Sequence, residues 1–482
     1  MDQPSHTVNE NGVILSKRRW FIVIAIAFLN LSNALTWNSF ATVAASTKDF
    51  YNVSFGAVNM LSVVYMIISI PVGFFAIWSL DSLGLRLSIT VAAIANAIGP
   101  ILRYLSTFDF IDKSDQYTML IIGQCIAAFG QTFIMFCPPK VAQYWFPDNH
   151  RALANTVASM ANPLGILLSA VLAPVILQKP DDMSNLMLIF GIPAEVALVV
   201  TLFSLTRSKP EHPPSESACQ ESEPFLQGLK IILKNKMFLL LMVCFGSGMA
   251  IFTALAALIM QILCPYGYNE SYAGMSIGIM VGVGIVGAAV TGIIADITKQ
   301  FVEVAKVSLA LAAAVFCFFT VILVYPQQYV LLAFSIGIFG FFGFGQYAIC
   351  LELAIETTFP VAEATSAGLM VITGQILSAV MVLVMQPLGV PIADRFDTCS
   401  ANATQGEGVL SYVYGNILLC CLAVVAGSAL ICFYQCPYKR LEFERKAAAQ
   451  KAVAKNVESP SVNPVSHGNE YSATGNIYNA ET

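Results

Sequence analysis

Charged side chains are scarce in this chain. They make up 11% of its 482 residues, where soluble globular domains carry about a quarter. That deficit excludes a fold bathed in water on all sides. Histidine is scarcer still: His6, His150, His212 and His467 are the only four, and all fall outside the apolar segments. Their placement argues against a buried metal site, a His-dependent catalytic centre and a histidine-ligated haem. No pair among the 12 cysteines has metal-ligand spacing. Most stand inside apolar runs (Cys125, Cys244, Cys317, Cys350, Cys420, Cys421), where a thiol serves as a small hydrophobe. The spans hold no paired Asp, no Ser–His pair and no zinc motif, which argues against an intramembrane enzyme. No metal or cofactor is implied. The net charge of −5 is spread over loops and tail, so no nucleic-acid partner is implied either.

What the chain has is apolar length. Hydrophobic residues make up 57% and the mean hydropathy is +0.72. The pattern predicts an all-α membrane protein, its partner the lipid bilayer, with twelve transmembrane helices over residues 20–45, 59–79, 85–105, 118–141, 153–177, 185–205, 237–263, 272–295, 302–324, 329–351, 365–388 and 409–434. The first run is too long for a signal-peptide core and lacks a cleavage site. Twelve crossings put both termini on one side. That side carries nineteen of the 24 Lys and Arg, leaving Lys48, Arg103, Lys113, Lys179 and Arg395 opposite, so both termini are expected in the cytoplasm. The sequons at Asn52, Asn269 and Asn402 all fall in the predicted outer loops, and the plasma membrane is the expected location. Cys264 with Cys399 is a disulfide candidate near that outer face.

The domain boundaries follow. Residues 1–19 form a cytoplasmic segment, Met1–Ser16 being polar, unpatterned and expected to be disordered. Residues 20–206 are a first six-helix half, 207–235 a Pro-, Ser- and Glu-bearing linker ending in a basic amphipathic stretch, and 236–435 a second half. Residues 436–482 are a tail, basic at first and then polar. A faint internal echo links the fourth span (Gly130-Gln131 … Phe146-Pro147) to the tenth (Gly345-Gln346 … Phe359-Pro360), as a six-helix duplication would. The Gly-rich runs from Gly278 to Gly292 and from Gly337 to Gly345 read as close helix packing or bending points.

Polar residues stranded in apolar spans carry the functional signal. In Leu31-Ser32-Asn33-Ala34-Leu35-Thr36-Trp37-Asn38-Ser39-Phe40, Asn33 and Trp37 stand four apart and share one helix face. An amide and an indole at that depth read as a binding face; for Asn33 alone, helix–helix hydrogen bonding is the equal alternative. Between the second and third spans, Leu80-Asp81-Ser82-Leu83-Gly84-Leu85-Arg86 looks like the loop signature of the major facilitator superfamily. Asp81 and Arg86 are there expected to govern a cytoplasmic gate, with Asp296 as a thinner counterpart in the second half. Glu352 and Glu356, at the cytoplasmic end of the tenth span, also read as gating residues. Glu195 in the sixth span is the one other mid-span acid.

The resemblance sharpens with Arg18-Arg19-Trp20, Leu61-Ser62-Val63-Val64-Tyr65 and Glu352-Leu353-Ala354-Ile355-Glu356-Thr357-Thr358-Phe359-Pro360. Together with the motifs above they resemble solute carrier family 49, the feline leukaemia virus subgroup C receptor-related transporters, over nearly all of the chain. The resemblance implies a fold of two six-helix halves and a substrate such as choline or ethanolamine. It also implies a site on Asn33, Trp37, Gln131 and Gln375, with Thr253 where the choline carriers have Tyr. That replacement leaves Trp37 as the only aromatic of the expected cage, and a desolvated cation–π contact is worth about 2 kcal/mol. The expected function is alternating-access, facilitative transport of a small organic solute, by a monomer by default. Export of haem or another porphyrin-like molecule, and a non-transporting receptor or scaffold, are the alternatives.

Overall fold

The computed structural model describes residues 6–8, 14–16, 18–210, 225–359, 361, 363–391, 410–436, 438, 439 and 442. Fourteen α-helices are described: α1 (Arg18–Trp37), α2 (Ala44–Tyr51), α3 (Phe55–Ser82), α4 (Leu85–Leu105), α5 (Lys113–Trp145), α6 (Asp148–Ile176), α7 (Met183–Ser204), α8 (Phe225–Lys234), α9 (Lys236–Leu263), α10 (Glu270–Thr298), α11 (Phe301–Leu323), α12 (Tyr329–Thr358), α13 (Glu363–Met385) and α14 (Val413–Phe433). All but α2 and α8 are long and apolar enough to cross a membrane, which makes twelve. By compactness, residues 1–437 form one unit and 438–482 another. Large apolar side chains such as Ile293, Phe334 and Val425 stand exposed on the outside of the bundle, where lipid rather than water suits them.

Helix pairing repeats at an interval of six spans. In the first half α1 packs on α6 and α7, α3 on α5, and α4 on α5 and α7. In the second, α9 packs on α13 and α14, α10 on α12, and α11 on α12 and α14. Every pair in one set maps onto a pair in the other. The halves meet through α3 with α13 and α6 with α10, contacts that the same operation exchanges. Small residues permit the close approach: a Cβ on Gly340 would lie 2.0 Å from the Met280 carbonyl oxygen, and one on Gly287 2.1 Å from that of Phe341.

Two differences from the sequence expectation concern boundaries. The first span stops at Trp37 instead of running on to residue 45, and residues 38–43 form turns before α2. Met1–Ser16, expected to lack structure, contains a short antiparallel ladder pairing His6 with Ser16, Thr7 with Leu15 and Val8 with Ile14; its β-branched and apolar members suit a strand. The face on which α1 starts and α14 ends is termed the terminal face below, and the other the distal face.

Candidate functional site

A cavity of about 200 Å³ lies between the halves. Its lining runs from Trp37, the last residue of α1, and Tyr65 on α3 to Pro139, Asn155, Glu352 and Ile355, near the terminal-face ends of α5, α6 and α12. The distal side is tied shut by amides. Asn59 on α3 donates from Nδ2 to Oε1 of Gln261 on α9 at 3.2 Å, and Gln261 returns Nε2 to Asn59 Oδ1 at 2.6 Å. The Tyr412 hydroxyl adds a third bond to Gln261 Oε1 at 3.2 Å. All three residues are buried, and the two Asn59–Gln261 bonds join the first half to the second.

Four of the five expected binding residues line this cavity: Trp37, Gln131, Thr253 and Gln375. They come from α1, α5, α9 and α13, so both halves contribute. The Trp37 indole donates to the Ser62 carbonyl at 3.4 Å, which fixes the ring against α3. Thr253 Oγ1 accepts from Ser378 at 3.3 Å, and Gln375 Nε2 lies 3.9 Å from the Met135 sulfur. The carboxamide oxygen of Gln131 is buried and makes no hydrogen bond among the described residues. An unmade bond of this kind costs free energy that a ligand donor would recover.

Asn33 is the exception. Its Nδ2 donates to Asn96 Oδ1 at 2.8 Å and to the Ala127 carbonyl at 3.2 Å, and Asn96 in turn donates to Ser32 Oγ at 3.0 Å. This network ties α1 to α4 and α5 behind the cavity. A four-residue step rotates about 40° around a helix, enough to move Asn33 out of the opening that Trp37 reaches. The interhelical alternative is the one the structure adopts.

Of the expected gate residues, Asp81 pairs with Lys140 near the end of α5. Arg86 is exposed, and its backbone N–H bonds Ser208 Oγ at 3.0 Å. The Asp81–Lys140 pair therefore joins two helices of the same half. Asp296 lies in the last turns of α10, its side chain outside the described set. Glu352 is the only charged residue among the described lining of the cavity, whereas Glu356, four residues on, is buried and is not part of that lining. Glu195 also stays out of the lining. Asn52 and Asn269 are exposed on the distal face; Asn402 is outside the described residues. Cys264 is disulfide-bonded, and its candidate partner Cys399 also falls outside them.

Three features escaped the sequence reading. Trp37 is not the only aromatic at the cavity: Tyr65, Phe245, Phe252, Phe339, Phe344 and Tyr347 also line it. The α12 members sit among glycines, and that run was legible only as packing. Asn30, in a sequon-like triplet, lines the cavity too, and its Nδ2 reaches the carbonyls of Ile134 and Ala158, both at 3.3 Å. Arg103, counted among the few charges of the outer side, is only 2% exposed. Its Nη1 donates to the Thr36 carbonyl at 2.9 Å and its Nη2 to Ser39 Oγ at 2.5 Å. Nearby, the Tyr51 hydroxyl shares a 2.9 Å bond with Ser106. Burial pushes that phenol up to about 12, so it remains neutral.

Twelve helices in two duplicated halves around a one-sided central cavity define a membrane carrier of the major facilitator type. The family model described as Major Facilitator Superfamily matches residues 26–382. The xylose transporter XylE from E. coli, in a partially occluded inward-open conformation, shares the fold with a TM-score of 0.64 at 13% identity, over 87% of this chain and 99% of that one. Solute carrier family 49 member A3 of Xenopus tropicalis is 37% identical over 88% of this chain and 89% of its own length. The human choline/ethanolamine transporter FLVCR2 is 25% identical over 92% of this chain and 82% of its own length. The chain belongs to the major facilitator superfamily and, within it, to solute carrier family 49.

Proposed function

We propose that this protein is a facilitative, alternating-access carrier of a small organic amine of the choline or ethanolamine type. The observation that carries the reading is the convergence of Trp37, Gln131 and Gln375, from both halves, on one cavity in which the acid Glu352 is the only charged residue among the described lining. An indole face and nearby aromatic rings favour a cation electrostatically. Glu352 adds to that preference, and no lysine or arginine stands among the described lining residues. The carboxamides of Gln131 and Gln375 would hydrogen-bond the hydroxyl or ammonium group. The choline/ethanolamine transporters among its relatives support this choice of substrate, and Thr253 would give this chain a different wall.

The same reading takes the terminal face as cytoplasmic, on the excess of Lys and Arg there, with Asn52 and Asn269 exposed to the outside as glycan acceptors in the plasma membrane. Exchange between states then requires the Asn59–Gln261 amide pair to part while the terminal-face ends close. Asp81 with Lys140, together with Glu352 and Glu356, would shape that closure.

The test is radiotracer flux in proteoliposomes. Choline or ethanolamine should equilibrate without a pH gradient, and Trp37→Ala should abolish flux while the protein is made and folded normally. Undiminished flux in that variant would remove Trp37 from the site. An absence of flux for both amines in the unmodified protein would overturn the amine reading.

A further inference from the structure

The cavity extends well beyond Trp37, and its terminal-face portion has a composition of its own. On the side of α6, Asn155, Ser159 and Asn162 line it at i, i+4 and i+7, one flank of a helix. Ser159 donates to Asn155 Oδ1 at 3.3 Å. Asn162 Nδ2 is buried and has no hydrogen-bond partner among the described residues. The opposite wall is aromatic and acidic. Tyr347 on α12 stacks at a tilt of 36° on Phe245 of α9, ring centres 5.1 Å apart, and Glu352 follows toward the terminal face. Tyr347, Phe245 and Glu352 all line the cavity.

The two walls match in depth. Ser159 and Tyr347 each stand eleven residues from the terminal-face end of their helix, and Asn155 and Glu352 seven and six. Trp37 stands nineteen residues into α1. At 1.5 Å per residue the Tyr347 level is about 12 Å nearer the terminal face than Trp37. That separation exceeds the length of a small amino alcohol.

We propose that this portion of the cavity is a second ligand station, taking an alkylammonium that carries a hydroxyl group. Tyr347, Phe245 and Glu352 meet the cation, and Asn155, Ser159 and Asn162 meet the hydroxyl. The station rests on the amine reading above and gives it a path: a cation leaving Trp37 passes to a second aromatic wall and then to a carboxylate before it reaches water. Without that sequence the cation would cross an apolar stretch unpartnered.

Equilibrium binding of radiolabelled choline and ethanolamine to the purified full-length chain tests it, alongside flux measured from each face of oriented proteoliposomes. Two sites per chain are expected. Trp37→Ala should leave one, and Glu352→Gln or Tyr347→Leu should leave the other. Tyr347→Phe, which keeps the ring, should retain both. Glu352→Gln should raise KM at least fivefold for substrate offered at the terminal face and leave KM at the distal face within twofold. A monodisperse elution profile for each variant separates loss of the station from loss of the fold. One site per chain, sensitive to Trp37→Ala and indifferent to Glu352→Gln and Tyr347→Leu, overturns the station and leaves the carrier reading standing. No binding of either amine by the unmodified chain overturns both.

Discussion

The guanidinium carbon of Arg103 lies 4.8 Å from the centre of the Phe40 ring, directly over the place where α1 stops. Its guanidinium donates to the Thr36 carbonyl and the Ser39 hydroxyl, with a third bond to the Met187 sulfur at 3.5 Å, and no acidic partner is present among the described residues. The last carbonyls of a helix lack intrahelical donors and carry partial negative charge. A cation there both satisfies them and sets the end of the helix, and Trp37 is the residue at that end. The Ser39 hydroxyl itself donates to the Thr36 carbonyl at 2.9 Å, so Arg103→Leu removes the charged donor from both without stranding either, a loss of about 1–3 kcal/mol in all. The expected result is a melting temperature lower by several degrees in detergent, with loss of flux. Arg103→Lys keeps the charge and loses the forked geometry, so it should fall between the two. A Leu variant as stable and active as the parent would show that the clamp does no positioning.

On the distal face, the Asn59–Gln261 pair crosses between halves that must separate for access from that side. Asn59→Ala removes two of the three bonds made by Gln261. At about 2 kcal/mol, the population ratio should shift roughly thirtyfold toward distal opening. Labelling of a cysteine introduced at Tyr65 by a membrane-impermeant thiol reagent, after removal of other reactive thiols, should accelerate from the distal side. Unchanged labelling would mean that apolar packing closes that face.

Much of the fold was legible because lipid imposes it. Each span must satisfy its own backbone hydrogen bonds and present apolar side chains, and those demands leave a run of composition that can be counted. The early stop of α1 was not legible, because it depends on Arg103 arriving from α4, 67 residues later. The site was partly legible for a related reason. Trp37, Gln131 and Gln375 stand out as polar or amphipathic groups in apolar surroundings, and all three reach the cavity. Asn33 stands out equally well and does not, because a 40° rotation about the helix axis decides between cavity and wall. Residue type shows that a partner is required; only the packing of α4 and α5 shows that Asn96 is the partner. The aromatic residues of α12 pose the opposite problem: in an apolar span a ring looks like any other filler.

At the terminal face, the Asp81–Lys140 pair sets a 4% exposed ammonium side chain against a 21% exposed carboxylate. Removing one member of such a pair strands the other. Asp81→Asn should destabilise the first half by about 2 kcal/mol, less than for a fully buried pair because water reaches the carboxylate. Lys140→Met combined with Asp81→Asn should recover most of that loss, since neither charge then remains. Thermal melts of the single and double variants measure the difference. Additive losses in the double variant would show that the two residues act independently.

The α10–α12 seam offers a test in which space alone is varied. A methyl group on Gly340 would meet the Met280 carbonyl at 2.0 Å, and one on Gly345 would meet the Thr291 hydroxyl oxygen at 2.5 Å. Both contacts are far inside van der Waals range, and the first is with backbone, so relief requires the two helices to move apart. A methyl group on Gly292, on the same helix as Met280, would meet nothing within 4 Å. Gly340→Ala should therefore lower the melting temperature markedly, overpacking of this kind costing about 1–3 kcal/mol or more. Gly292→Ala should leave it unchanged or raise it, since alanine is better than glycine in a helix by about 1 kcal/mol. The two substitutions add the same atoms to the same pair of packed elements, so helix propensity cannot separate them. If both variants melt alike, the close approach of α10 and α12 is not what holds the second half together.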